Sequence, residues 1–276
     1  MAYPIRPALL FRFLCVALWL ILCPLCPGCR VAGESQPVRE NPPGIVRGRH
    51  LAYGIPGAAD YIIQREGYAL GFSIRHKQAV WVSYELTADD LAGPRAARTN
   101  RFRPDPDIPE SATPGDYTRS GFDRGHLAAA ADMARSASVM AESFYMSNIS
   151  PQRPRFNRGI WLALEKQVRH FAKTEGRIII VTGPVLPSGS ADQTIGQSKV
   201  TVPEYFYKVI YDTTPPEKMV AFIIPNRGSS ADLRTFIVTV DHVEDLTGLD
   251  FFGLLPAAIQ NSMEKGLSTP QWKWLE

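Results

Sequence analysis

Cysteine is absent from most of this chain, because its four cysteines all lie before residue 30. The rest of the sequence therefore offers no disulfide, no cysteine nucleophile and no thiolate metal site. An excess of one charge is also missing, since 30 lysines and arginines stand against 27 acidic residues. A net charge of +3 does not by itself indicate a nucleic-acid-binding protein, so such a function would depend on local charge.

Long apolar runs are missing as well. The run Phe13–Cys23 has eleven residues, and at about 1.5 Å per residue it falls short of the roughly 30 Å hydrocarbon core of a membrane. Basic residues precede this run and prolines follow it, an order that resembles a secretory signal. We therefore predict that residues 1–29 export the chain. A mitochondrial transit peptide, a lipid anchor at Cys29 and an uncleaved N-terminal anchor are the alternatives, and only this segment would contact a membrane.

The remainder of the chain is predicted to be one domain. Residues 30–49 are polar and rich in proline and glycine, which is typical of a linker or an arm. No second linker of that length and no internal repeat interrupt residues 50–276, a length that can bury a substantial core.

Aromatic and β-branched segments between turn-like residues predict strands, several of them paired as hairpins. Apolar residues at helical spacing predict a helix over residues 158–174 that ends at Gly176. Antiparallel strands with interspersed helices predict an α+β fold, with a central antiparallel sheet flanked by helices. The predicted strands are Tyr68–Ser73, Ala79–Leu86, Phe144–Ile149, Arg177–Thr182, Tyr205–Tyr211 and Met219–Ile224, and the shorter predicted helices are Val243–Thr247 and Pro256–Lys265.

The most informative stretch of the chain is GFDRGHLAAAAD, residues 121–132. It places an acid, a guanidinium and an imidazole within four residues, at Asp123, Arg124 and His126. Gly125 between them allows a close backbone approach, because it has no Cβ atom. Asp132, at the end of the alanine run, is interpreted as a turn or cap residue.

An amide and a carboxylate follow on the predicted helix. Eight residues separate Asn157 from Glu165, and eight steps of about 100° return to within roughly 80° of the starting direction. Both side chains can therefore line one side of the helix. Their oxygens are hard ligands of the kind that suits Mg²⁺, which keeps several waters and accepts few protein ligands.

Positive charge is concentrated around these two residues. Residues 153–177 hold seven basic and two acidic side chains, a net charge of +5. This excess favours an anionic substrate, and a solvated helix face is the alternative interpretation.

The motif Asp123-Arg124-Gly125-His126 is similar to the DRGH motif of the DNA/RNA non-specific endonucleases, the ββα-metal nucleases, with the endonuclease G branch as the better match. Ser147-Asn148 and Pro151-Gln152 follow at the family spacing, and so do Asn157 and Glu165. The resemblance covers about residues 50–252. DRGH alone is a weak signal, whereas this combination is specific.

The resemblance implies roles for three side chains around a metal ion. His126 would be the general base that takes a proton from the attacking water. Asn157 would be the direct metal ligand, and Glu165 would hold a metal-bound water. The metal would be one hydrated Mg²⁺, with Mn²⁺ as the alternative.

Four further residues receive roles from the resemblance. Asn148 would orient His126 or the site waters, and Arg124 would contact the phosphate or the growing charge. Arg103 aligns with the upstream arginine of the family. Asp123 is expected to be structural, fixing Arg124 or the turn.

The function implied is metal-dependent hydrolysis of phosphodiester bonds in DNA and RNA to 5′-phosphate ends, by an enzyme that could form a homodimer. The ββα-metal element would comprise a strand at His126, a second strand near residues 144–148 and the helix from about Asn157. Contacts aimed at phosphates rather than bases would make cleavage sequence-tolerant. Two alternatives stay open at this point: a nucleic-acid-binding protein of the same fold without turnover, and a phosphodiesterase acting on a small substrate.

Overall fold

A computed structural model of the chain describes residues 48–189, 193–267 and 269–275. The predicted targeting segment and most of the predicted linker lie outside the described residues. Gly48 and Arg49 are already bonded to the domain: the Gly48 amide donates to Gln64 Oε1 at 2.8 Å, and Arg49 pairs with Asp90 at 3.0 Å. None of the helices in the described part of the chain has the length and apolar character required to span a bilayer.

A seven-stranded antiparallel sheet forms the centre of the fold, in the order β1-β2-β3-β6-β9-β10-β11. Two small two-stranded sheets, β4–β5 and β7–β8, stand apart from it. The strands are β1 Tyr61–Gln64, β2 Ala69–Ser73, β3 Gln78–Thr87, β4 Asp123–His126, β5 Ile149–Gln152, β6 Arg177–Val185, β7 Thr194–Ile195, β8 Val200–Thr201, β9 Tyr205–Asp212, β10 Lys218–Pro225 and β11 Ile237–Val238.

The helices are short except for one. α3 forms the C-terminal part of the predicted helix and carries Glu165, and Gly176 ends it with a φ of 87°, as the sequence predicts. The helices are α1 Ala88–Leu91, α2 Ala137–Glu142, α3 Leu162–Glu175, α4 Val240–Thr247 and α5 Ala257–Met263.

The central sheet is buried on both faces. Along β6, Ile178 and Ile180 belong to the hydrophobic cluster that includes α3, whereas Ile179 and Val181 belong to the cluster that includes α4. This alternation follows from the two-residue period of a strand. The predicted α+β fold with helices flanking an antiparallel sheet is confirmed.

One predicted strand is wrong. Within Phe144–Ile149 only Ile149 belongs to a strand, and Met146–Asn148 form a 3-10 turn. Phe144 and Met146 are fully buried, so the apolar character of the run reflects burial rather than a strand. A short apolar run cannot distinguish the two by periodicity alone.

Candidate active site

Strands β4 and β5 form an antiparallel pair that carries the DRGH sequence. Asp123 lies opposite Gln152 and His126 opposite Ile149. A π-type helical turn, Phe156–Trp161, then leads into α3 and bends at Gly159, whose backbone is not helical. The ββα order is thus the predicted one, with β5 in place of the strand expected near residues 144–148.

Gly125 permits the close approach that the sequence suggests. A Cβ atom at this position would fall well inside van der Waals contact with the Gln152 side chain, which is fully buried. The pairing of β4 with β5 therefore requires glycine here.

We expect Gly125→Ala to lower the free energy of unfolding by about 1–3 kcal/mol, because the added methyl group overpacks a buried contact. Urea denaturation measures this loss. The double variant Gly125→Ala/Gln152→Ala should recover much of it, since the obstructing side chain is gone. Gly189→Ala is the matched control, because a Cβ atom there meets open space. Equal stability of the Gly125 and Gly189 variants would contradict the prediction.

The His126 imidazole is packed between aromatic rings. The Phe144 ring lies edge-on at a centroid distance of 4.8 Å, and the Phe102 ring lies at 5.5 Å. Nε2 is buried and has no hydrogen-bond partner among the described residues. Burial, together with the positive charge of Arg98, lowers the pKa of His126 to about 3. With its pKa lowered, the enclosed ring is neutral at physiological pH, which is the form that accepts a proton.

Asn148 holds the chain segment that follows His126. Its Nδ2 donates to the carbonyl oxygens of Ala128 at 3.0 Å and Ser143 at 2.9 Å, and its Oδ1 accepts from the Ala128 amide at 2.9 Å. The backbone thus occupies both ends of this buried side-chain amide. The arrangement supports the first of the two predicted roles, orienting His126, and acts through the backbone.

Asp123 orients the side-chain amide of Asn157. The Asp123 carboxylate accepts from Asn157 Nδ2 at 2.9 Å and from Arg158 Nε and Nη2 at 2.8 and 2.6 Å. These bonds keep the pKa of Asp123 below its usual value against the opposing effect of burial. With Nδ2 held on Asp123, the Asn157 Oδ1 points the other way. The expectation that Asp123 fixes Arg124 is wrong, because its partners come from the start of the helical segment.

Arg124 shares an aromatic neighbour with His126. Its guanidinium lies 5.3 Å from the centroid of the Phe102 ring, and its Nη2 donates to the Pro114 carbonyl at 2.9 Å. Its Nε is buried without a partner among the residues that the structure describes. Arg124 therefore keeps a donor without a partner, and it lies two residues before His126 on β4, so both side chains leave the strand on the same side.

Glu165 lies half-buried on α3 beside a network of charges. Burial and the neighbouring Asp132 raise its pKa to about 7, although Lys208 and Arg169 oppose the shift. Asp132 does form a turn, as the sequence suggests, but its carboxylate is buried and accepts from Arg169 and Tyr84, both at 2.8 Å.

The structure brings Arg98 to this site, a residue that no sequence motif marks. Its guanidinium lies 5.1 Å from the centroid of the Phe144 ring, which also packs on His126, and its charge lowers the pKa of Glu165. Arg103 instead stacks on the Tyr145 ring at 4.1 Å. Between residues 95 and 103 the chain carries four arginines, and spacing alone could not select among them.

The basic side chains of residues 153–177 lie in two kinds of environment, surface grooves and ion pairs. Arg155 and Arg158 line an open groove of about 840 Å³ together with Arg227, and Arg153 and Arg227 line a neighbouring groove of about 360 Å³. Later in the run, Arg169 pairs with Asp132 and Arg177 with Glu85. Arg158 pairs with Asp123, whereas Arg153 and Arg155 form no ion pair among the described residues and are available to an anionic ligand.

The donor set at the site suits a hard cation. Asn157 Oδ1 and the Glu165 carboxylate are hard oxygen donors, and residues 30–276 contain no cysteine to favour a softer metal. Because Asn157 Nδ2 is bonded to Asp123, the amide could bind a cation through Oδ1 without giving up that hydrogen bond.

Comparison with known proteins agrees with this geometry. The sequence profile of the DNA/RNA non-specific endonucleases matches residues 47–258. Nuclease C1 of Cunninghamella echinulata var. echinulata is 38% identical over 221 residues, covering 74% of this chain and 88% of the relative. Human mitochondrial endonuclease G is 36% identical over 218 residues, covering 74% and 73%. A nuclease of Nostoc sp. is 33% identical over 260 residues, covering 86% and 92%.

A solved structure shows the same fold. In the crystal structure of the EndoG/EndoGI complex, which concerns the mechanism of EndoG inhibition, one chain superposes with a TM-score of 0.70 at 34% identity. The match covers 76% of this chain and 92% of that one. With the fold, the ββα site and the sequence match in agreement, this chain belongs to the DNA/RNA non-specific endonuclease family, a family of metal-dependent nucleases.

Proposed function

We propose that this chain is a sugar-non-specific endonuclease that hydrolyses phosphodiester bonds of DNA and RNA to 5′-phosphate ends, with His126 as general base and one hydrated Mg²⁺. The observation that carries the proposal is the buried, neutral His126 ring with an unpaired Nε2, on the strand that also orients Asn157. A homodimer, which the family resemblance implies, stays a prediction.

In the proposed reaction, His126 Nε2 takes a proton from the attacking water. Negative charge then grows on the non-bridging phosphate oxygens, and Arg124 stabilises it through donors already in place. Growing negative charge beside the imidazole raises its pKa and so strengthens the base as the reaction proceeds. Asn157 Oδ1 and, through a water, Glu165 would hold the cation, which supplies charge stabilisation at the phosphate and the leaving oxygen.

The basic groove favours a polymeric substrate. Arg155, Arg158 and Arg227 line an open surface rather than an enclosed pocket for a small ester. Arginines at such a surface contact the phosphate backbone, which carries no sequence information. Cleavage should therefore tolerate sequence and weaken as salt rises.

Digestion assays with the full-length chain test this proposal. Supercoiled plasmid and a long RNA should both be cut in Mg²⁺, EDTA should abolish both reactions, and the new 5′ ends should be ligatable without a kinase step. A small bis-aryl phosphodiester serves as a comparison substrate. Binding without cleavage, or faster turnover of the small ester than of plasmid, would overturn the proposal.

Arg98 and Arg103 form a matched pair for a second prediction. We expect Arg98→Ala to lower plasmid cleavage by about tenfold to a thousandfold, because it removes a positive charge beside the reacting groups. Arg103→Ala should have a much smaller effect, since Arg103 stacks on Tyr145 and forms no ion pair within the described chain. Initial nicking rates at saturating Mg²⁺ compare the two variants. If Arg103→Ala loses more cleavage activity than Arg98→Ala, then Arg103 is the arginine that corresponds to the upstream arginine of the family.

The raised pKa of Glu165 predicts a pH-dependent metal requirement. Below its pKa of about 7 the Glu165 carboxyl is protonated and holds a hydrated cation weakly. Above that pH it is an ionised carboxylate and holds the cation more strongly. The Mg²⁺ concentration for half-maximal cleavage should therefore fall by about tenfold from pH 6 to pH 8. In Glu165→Gln this dependence should flatten. An unchanged pH dependence in that variant would contradict the assignment of Glu165 to the metal.

The location of the chain in the cell is a separate proposal. Export rests on residues 1–29 alone, whereas the relatives named as mitochondrial favour the mitochondrial alternative. Cell fractionation of the tagged full-length chain, with N-terminal sequencing of the recovered protein, distinguishes the two.

A further inference from the structure

A second group of acidic side chains lies away from the proposed active site, where α4 meets the end of α5. Asp241 and Glu244 lie one turn apart on α4, and Glu264 caps the C-terminal end of α5. One carboxylate oxygen of each residue lies within 4.8 Å of the others. The Asp241 amide donates to the Glu264 carbonyl at 3.3 Å, so the two helices are joined at this point.

Glu264 is the member of the group whose buried carboxylate has an oxygen without a hydrogen-bond donor. It exposes only 6% of its surface, and its Oε1 is buried with no hydrogen-bond partner among the residues described. Glu244 differs, because one of its oxygens accepts from the Phe251 amide at 2.7 Å. Burying a carboxylate oxygen without a donor or a cation beside it destabilises the folded state. The described residues supply no such partner to Glu264 Oε1, so a bound cation would stabilise the site.

We infer that Asp241, Glu244 and Glu264 together bind one Ca²⁺ ion. Three carboxylates without an imidazole or a thiolate select hard cations. Ca²⁺ binds oxygens at about 2.3–2.6 Å, so opposite ligands stand about 5 Å apart, whereas Mg²⁺ at about 2.0–2.1 Å requires about 4 Å. The three carboxylate oxygens lie within 4.8 Å of one another, close enough to share one Ca²⁺, whose large and flexible coordination shell tolerates uneven ligand separations. Asp241 and Glu244 are half-buried, which leaves room for waters to complete the coordination.

The charge balance agrees with the geometry. Burial and the neighbouring acids raise the pKa of Glu264 to about 8 and that of Glu244 to about 7. The acids that face them include the nearby Asp250 and Asp245, and Lys265 is the opposing positive charge. A bound cation would offset this repulsion and hold α4 against α5.

Thermal unfolding of the full-length chain tests the inference. The chain carries Asn157→Ala, so that the proposed catalytic cation site does not respond, and it is stripped with EDTA before Ca²⁺ is added. We expect the melting temperature to rise by about 5–10 °C when Ca²⁺ exceeds its dissociation constant a hundredfold. Calorimetry should give one Ca²⁺ per chain. Neither readout depends on nuclease activity, so the result is independent of the proposed function.

Glu264→Gln in the same background should abolish the Ca²⁺-dependent rise while unfolding no earlier than its parent in EDTA, because the substitution removes repulsion. Asp245→Asn is the matched control: it removes an exposed acid from the same helix outside the group, and the rise should persist. If Glu264→Gln fails to fold, Asp241→Asn replaces it and should weaken Ca²⁺ binding at least tenfold. No Ca²⁺ response, an equal response in Glu264→Gln and Asp245→Asn, or a larger response to Mg²⁺ than to Ca²⁺ would overturn the inference.

Discussion

Replacing His126 with alanine is expected to lower the rate of plasmid and RNA cleavage by about a thousandfold at saturating Mg²⁺. A positioned general base contributes about a hundredfold to ten-thousandfold to a reaction of this type. His126 Nε2 has no partner among the described residues and the ring is neutral, so this nitrogen can accept a proton once the negative charge of the bound substrate has raised its lowered pKa. Single-turnover cleavage of supercoiled plasmid measures the loss directly.

Two controls separate this effect from misfolding and from lost binding. His242→Ala, on the exposed surface of α4, should leave the cleavage rate within about twofold of the parent, as surface substitutions away from a site usually do. Plasmid binding by His126→Ala in Ca²⁺ should stay close to that of the parent, since the basic groove is untouched. If His126→Ala cleaves at more than about a tenth of the parent rate, the general base is another group.

Replacing Asn157 with alanine is expected to raise the Mg²⁺ concentration for half-maximal cleavage by more than about a hundredfold. Removal of an outer residue that only orients a ligand typically costs about tenfold to a hundredfold in metal affinity, and a direct ligand should cost more. The loss of Mg²⁺ affinity in Asp123→Asn should fall within that smaller range. The substitution disturbs the hydrogen bond that orients the Asn157 amide, but the Oδ1 atom of Asn157 is still present. Mg²⁺ titrations of plasmid nicking rank the variants.

The ranking is the decisive feature of this second experiment. Asn261→Ala, on the exposed face of α5, is the matched asparagine control and should titrate like the parent. A larger shift in Asp123→Asn than in Asn157→Ala would make Asp123 the ligand and Asn157 its support.

Local sequence determined a large part of this molecule. The hairpin of β9 and β10, the strand β6 and the end of α3 at Gly176 all match their predictions, since β-branched segments bounded by turn residues and helix-stop signals act over a few residues. The helix was expected from residue 158, but the chain forms a bent π-type turn over Phe156–Trp161 first, with Gly159 at the bend. The regular helical spacing of about 100° per residue therefore does not describe the position of Asn157 relative to Glu165.

The sequence by itself determined which groups we propose for catalysis: His126, Arg124, Asn157 and Glu165 lie in a motif whose order is specific. Only the tertiary structure decided how those groups are held. Asp123 contacts Asn157 rather than Arg124, and Arg98 packs on the Phe144 ring that also contacts His126, because residues far apart in the chain meet only after the sheet and α3 have packed. Burial, which also arises only on folding, moves the pKa of His126 down and that of Glu165 up.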